Sequence, residues 1–167
     1  MTPDTHRSET AGAPPPGAFE VAVRAEWADV DLVGIVRYSA YPRLLDVAEA
    51  EWFRAAGLAF PRVQTEYGVV LVRRVLHLEY RAPARYDAEL RVALWVAHAA
   101  RSALTFGVAV RDAIGKGTHV TGHVVVVAVD ESTLAKVALP AELVARLGST
   151  ARTHDVAHES ARGSPPR

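Results

Sequence analysis

The longest regular pattern in the chain is that of a helix. From Tyr38 or Ser39 onward, Tyr41, Leu44, Leu45, Ala48, Trp52, Ala55 and Ala56 recur at i, i+3, i+4 and i+7, the spacing of a helix with one buried face. Arg43, Asp46, Ala50, Glu51 and Arg54 fall mostly on other faces, and Gly57 stands where a left-handed residue ends a helix. Elsewhere the period is two. Residues 19–27 alternate, with Phe19, Val21, Val23 and Ala25 on one side. Residues 69–81 read as a long strand. Val70, Val72, Leu76, Leu78 and Tyr80 share one face, Leu71, Arg73, Val75, His77 and Glu79 the other, and Arg74 interrupts the apolar face. Strands over 89–97, 103–111 and 118–129 follow at hairpin spacing, the last apolar on both faces near its end, as a covered strand is. Pro83 closes the second strand because proline cannot donate to a ladder. Residues 60–67 form one or two helical turns, and a short helix runs from Pro140 to Gly148.

The order is strand, long helix, then four strands. It predicts an α+β fold in which an antiparallel sheet of about five strands wraps one long helix. Open sheet edges favour pairing with a second subunit. Residues 1–17 and 149–167 are polar and contain Pro and Gly, so they are expected to be disordered tails on a single domain over 18–148.

Composition mainly excludes. The 19 basic and 19 acidic residues cancel, which leaves no global field for nucleic acid or an anionic membrane surface. With no cysteine, disulfides, thiol nucleophiles and thiolate metal sites are ruled out. The start of the chain lacks the apolar core of a secretory signal, and no apolar run is long enough to span a bilayer. A cytoplasmic enzyme or binding domain is the expectation. There is no G-x-S-x-G nucleophile elbow and no glycine-rich phosphate loop. His119 and His123 share a strand face about 13 Å apart at ~3.3 Å per residue, too far to chelate one metal, and are read as surface or packing histidines. Asp46 and Glu49 are read as solvated or locally paired. No metal or organic cofactor is expected.

The chemistry concentrates before the long helix, in Asp29-Val30-Asp31-Leu32-Val33-Gly34-Ile35-Val36-Arg37-Tyr38. An aspartate before a helix is ordinarily a cap or turn residue, and that reading is kept for Asp29. The stretch, continued by Ala40-Tyr41 and the helix, resembles the opening motif of hotdog-fold acyl-CoA thioesterases of the 4-hydroxybenzoyl-CoA thioesterase family and its Tol-Pal-associated relatives. Glu79-Tyr80-Arg81-Ala82-Pro83-Ala84-Arg85-Tyr86-Asp87 resembles the family's passage from its second to its third strand, and Arg101-Ser102 with Thr105-Phe106 its next hairpin. The resemblance covers about residues 18–147.

It implies a hotdog fold and hydrolysis of an acyl-CoA or acyl-carrier-protein thioester without metal or cofactor. The family's catalytic carboxylate falls on Asp31, as general base or as nucleophile. Its carbonyl-polarising amide falls on the Tyr38 backbone, at a helix start with free N–H groups. Gly34 would let the loop pass close to substrate without a Cβ. Val36, Tyr41, Arg74, Arg101 and Ser102 complete the candidate substrate contacts, the arginines toward a phosphate-bearing carrier. Tyr41 also reads as a packing residue. A homodimer or homotetramer is implied. The alternatives are a hotdog domain that binds a thioester without cleaving it, and a hotdog hydratase or dehydratase. The latter needs a histidine beside its acid, and none occurs between Arg7 and His77.

Overall fold

The structure, a computed structural model, describes residues 13–114 and 117–150, and the backbone of 153–154. The tails expected over 1–12, 151–152 and 155–167 lie outside the described residues. In chain order the elements are β1 (Phe19–Arg24), α1 (Tyr41–Ala55), α2 (Phe60–Tyr67), β2 (Val69–Tyr80), β3 (Glu89–Ala99), β4 (Ala103–Asp112), β5 (Thr118–Asp130), α3 (Ala141–Ser149) and β6 (Thr153–His154). One sheet runs β2-β5-β4-β3-β1-β6. Its five long strands pair antiparallel, and the two residues of β6 pair parallel to β1, within a region that the polar composition assigned to a tail.

The sheet wraps α1, as the hydrophobic period requires. Leu44, Leu45, Ala48, Trp52 and Phe53 are buried against Phe19 and Val21 of β1, Leu90, Val92 and Leu94 of β3, Leu104, Phe106 and Val108 of β4, and Val124 and Val126 of β5. Each large side chain so buried contributes about 1.5–3 kcal/mol. The helix rolls slightly from its expected face, since Phe53 is buried and Ala55 is exposed. Its end is a Schellman turn. Gly57 has φ +69, its N–H reaches the Arg54 carbonyl at 2.9 Å, and Leu58 reaches that of Phe53 at 2.8 Å.

One strand departs from its expected faces. Arg73 pairs with Val126 and Val75 with Val125, so Arg74 is the extra residue of a β-bulge. The bulge shifts the phase. Leu71 and Arg73 therefore share the inward row with Leu76, Leu78 and Tyr80, while Val70 and Val72 turn outward with Val75, His77 and Glu79. The interruption at Arg74 was visible in the sequence, but a strict two-residue alternation carried across it put Arg73 on the wrong face. β2 is a sheet edge, and it exposes Val72, Val75, Leu76 and Tyr80.

Candidate active site

β1 leads into a 3-10 turn at Trp27–Asp29 and then a small hairpin closed by a bridge between Val30 and Val36. At its tip the Asp31 N–H donates to the Ile35 carbonyl at 2.9 Å, and the Gly34 N–H to the Asp31 carbonyl at 3.0 Å. Gly34 sits at φ +74, and nothing lies within 4 Å of where a Cβ would stand. Its glycine is explained by the left-handed backbone of the turn rather than by crowding within the chain. The hairpin is tied to the β2–β3 connection. Val36 donates to the Ala84 carbonyl at 2.9 Å, Tyr86 donates to that of Gly34 at 3.1 Å, and the Trp27 ring meets Tyr86 edge-on at 5.7 Å.

Two aspartates in this loop have opposite surroundings. Asp29 is 2 % exposed. Its carboxylate accepts the Glu26 N–H at 2.9 Å and the Nε of Arg43, on α1, at 3.0 Å, and a second guanidinium nitrogen completes a bidentate pair. The hydrogen bond from Asp29 raises the pKa of the Arg43 guanidinium. Asp29 thus clamps the loop to the helix, as its cap-like reading anticipated. Asp31 is exposed. Its Oδ1 accepts the N–H groups of Val33 at 2.9 Å and Ile35 at 3.2 Å. Among the described residues its Oδ2 accepts none. Asp31 lines an open groove of about 520 Å³ with Trp27, Val30, Leu32, Gly34 and Arg37, three of them large apolar residues.

Arg37 leads directly to the helix entry. Tyr38–Ala40 is a 3-10 turn that runs into α1, so the helix proper starts three residues later than its pattern alone indicates. Pro42 falls in the first turn of α1, where a missing N–H costs nothing. Tyr38, first in the turn, has an N–H with no acceptor inside it. Its side chain is 75 % exposed, and its carbonyl accepts the Tyr80 hydroxyl at 3.3 Å. A second groove, also about 520 Å³, lies between this entry and β2, lined by Tyr38, Ser39, Pro42, Leu76, His77, Leu78 and Tyr80.

The other candidates are scattered. Val36 and Tyr41 are core residues. The Tyr41 ring packs edge-on against Tyr80 at 5.6 Å, and burial raises the pKa of its hydroxyl. Arg74 is exposed at the bulge, and Arg101 and Ser102 occupy the β3–β4 turn, with Ser102 partly covered. That turn and the Asp31 loop lie at opposite ends of the sheet, separated by the length of β4, about 30 Å at ~3.3 Å per residue. Sequence reasoning missed two partners, Arg43 for Asp29 and Arg73 for Glu49. Glu49 is 6 % exposed and bonds Arg73, which also reaches Asp46 at 2.9 Å, so it is neither solvated nor paired within its own helix. Burial raises the Glu49 pKa against the opposing pull of Arg73. A charge set between Ala48 and Trp52 on an apolar face was the available signal. His119 is buried, with its ring nitrogens 2.9 Å from Asp112 Oδ1 and 3.3 Å from the Ala82 carbonyl, and His123 stacks on His77 at 5.2 Å. No cluster of three or more metal-ligating side chains exists among the described residues, and no helix there is long and apolar enough to cross a membrane.

An antiparallel sheet wrapped on one long helix, with a carboxylate loop ahead of the helix entry, defines a hotdog-type α+β protein. Residues 25–147 match the family model of the thioesterase-like superfamily, and the chain belongs to that superfamily. A sequence search of curated proteins finds no match. Among solved structures, a thioesterase-superfamily protein from Jannaschia sp. superposes with a TM-score of 0.74 at 20% identity, covering 81% of this chain and 94% of that one. A 1,4-dihydroxy-2-naphthoyl-CoA thioesterase from Synechocystis gives 0.71 at 17% identity, over 78% and 95%. The probable thioesterase YbaW from Escherichia coli gives 0.68 at 15% identity, over 80% and 99%. These likenesses establish the hotdog fold.

Proposed function

We propose that the protein hydrolyses an acyl thioester carried by CoA or by an acyl carrier protein, with Asp31 as the reacting carboxylate. The observation that carries this reading is the division of labour within Asp31. Loop amides hold Oδ1, which fixes the side chain, while Oδ2 remains unengaged beside an apolar groove. Acting as base, that oxygen takes a proton from water as the water attacks the carbonyl carbon. The C–S bond then breaks, and the thiolate leaves with the proton. Acting as nucleophile, Asp31 forms a mixed anhydride that water opens. In both routes negative charge develops on the carbonyl oxygen, and the Tyr38 N–H is the donor that meets it.

The separation of Asp31 from Arg101 and Ser102 supports a dimer built on β2. Two β2 edges paired antiparallel reverse one chain against the other. The Asp31 end of one sheet then lies beside the partner subunit's Arg74, Arg101 and Ser102, where cationic groups meet the phosphates of a CoA-like carrier. The apolar side chains exposed along β2 are the surface that such pairing covers. Val75→Lys, which adds a charge to that edge, is expected to leave a monomer in sedimentation and to lose activity with the dimer.

Release of thiol from a panel of acyl-CoA and acyl-carrier-protein thioesters tests the function. The chain has no cysteine, so a thiol reagent reads only the product. Turnover of at least one class is expected. Binding without release across the panel would favour a non-catalytic thioester-binding role and refute hydrolysis.

A further inference from the structure

The bulge in β2 does more than bend an edge strand. It aligns Arg73 with Leu76 and Leu78, which line the groove beside Tyr38 together with Pro42. On α1, Asp46 lies one turn beyond Pro42 and Glu49 almost two turns beyond it. One guanidinium nitrogen of Arg73 meets Asp46 Oδ1 at 2.9 Å and also bonds Glu49 Oε2. The three charges therefore stand at the end of the groove remote from Tyr38. Its flanks up to that point are largely apolar.

Packing alone does not account for this cluster, because apolar residues of similar volume replace buried ion pairs at little or no cost in stability. One cation against two carboxylates leaves an excess of acceptors, which suits a neutral hydroxyl donor and repels a terminal carboxylate. We propose that Arg73 and Glu49 form the end wall of the acyl groove and select acyl groups that carry a hydroxyl at the end remote from the thioester. The assignment rests on the thioesterase reading above. The rise from Pro42 to Glu49, about 10 Å of helix, suits a medium-length aliphatic or an aromatic acyl group.

The test compares kcat/KM of the full chain on octanoyl-CoA with 8-hydroxyoctanoyl-CoA, and on phenylacetyl-CoA with its 4-hydroxy derivative. The wild type is expected to favour the hydroxylated member of at least one pair by about 10- to 100-fold, as a hydrogen bond to a charged group supplies. The Arg73→Met/Glu49→Leu double variant removes both groups and strands no buried charge. It is expected to bring that ratio to within about twofold of one. Glu49→Gln keeps the shape, serves where the double variant does not fold, and is expected to give an intermediate ratio, since a neutral acceptor binds a hydroxyl more weakly. Equal kcat/KM within both pairs in the wild type, or a preference that either folded variant leaves unchanged, overturns the proposal. A wild type inactive on all four, and on the wider panel, overturns the thioesterase reading instead.

Discussion

The two halves of the loop ahead of α1 hold the same side chain and use it differently. In the first half Asp29 is buried, bidentate to Arg43 and bonded to the Glu26 N–H. In the second, two residues on, Asp31 is at the surface with one oxygen engaged by its own turn and the other unengaged. The difference teaches why both are needed. A carboxylate that reacts must stay accessible, and an accessible loop has little burial to hold it. Asp29 supplies the missing rigidity by tying the loop to the helix whose entry carries the Tyr38 amide.

Each side of this contrast can be broken separately. Asp29→Ala strands Arg43 in a partly buried site and unties the loop. A loss of about 3–5 kcal/mol in urea unfolding is expected, as for breaking a buried pair, with a fall in activity that follows from misplacing Asp31. Gly34→Ala forces an L side chain into the left-handed region and is expected to cost roughly 1–2 kcal/mol in the same measurement, though space exists for the methyl group. Arg74→Ala removes an exposed side chain at the bulge. It is expected to stay within about 0.5 kcal/mol of the wild type, while the KM for CoA thioesters rises if the partner's Arg74 meets the carrier.

The contrast also marks what the sequence made legible. The helix, five strands and sheet order follow from periodicity, because burial against one core enforces it over many residues. The loop motif was legible because its spacing is local: Asp31, Gly34 and Tyr38 fall within eight residues. Arg43 was not, since its partner depends on how the loop folds back across the first turn of α1. Glu49 and Arg73 were missed for a related reason. One extra residue at Arg74 exchanges the faces of half a strand, and a two-residue period has no memory of which side an insertion favours. Val36 and Tyr41 share the motif's neighbourhood but face the core, so proximity in sequence to a site did not make them part of it. β6 is two residues long and pairs only with β1, too short to carry any period.

The most direct test of the account is Asp31→Asn, assayed side by side for thioester turnover and for urea unfolding. Asparagine keeps an oxygen for the Val33 and Ile35 amides, so the turn is preserved while the charge and the free carboxylate oxygen are lost. The account predicts a kcat reduced by about 10²- to 10⁴-fold, with stability within about 0.5 kcal/mol of the wild type. Turnover equal to the wild type, in a variant as stable as the wild type, would contradict it.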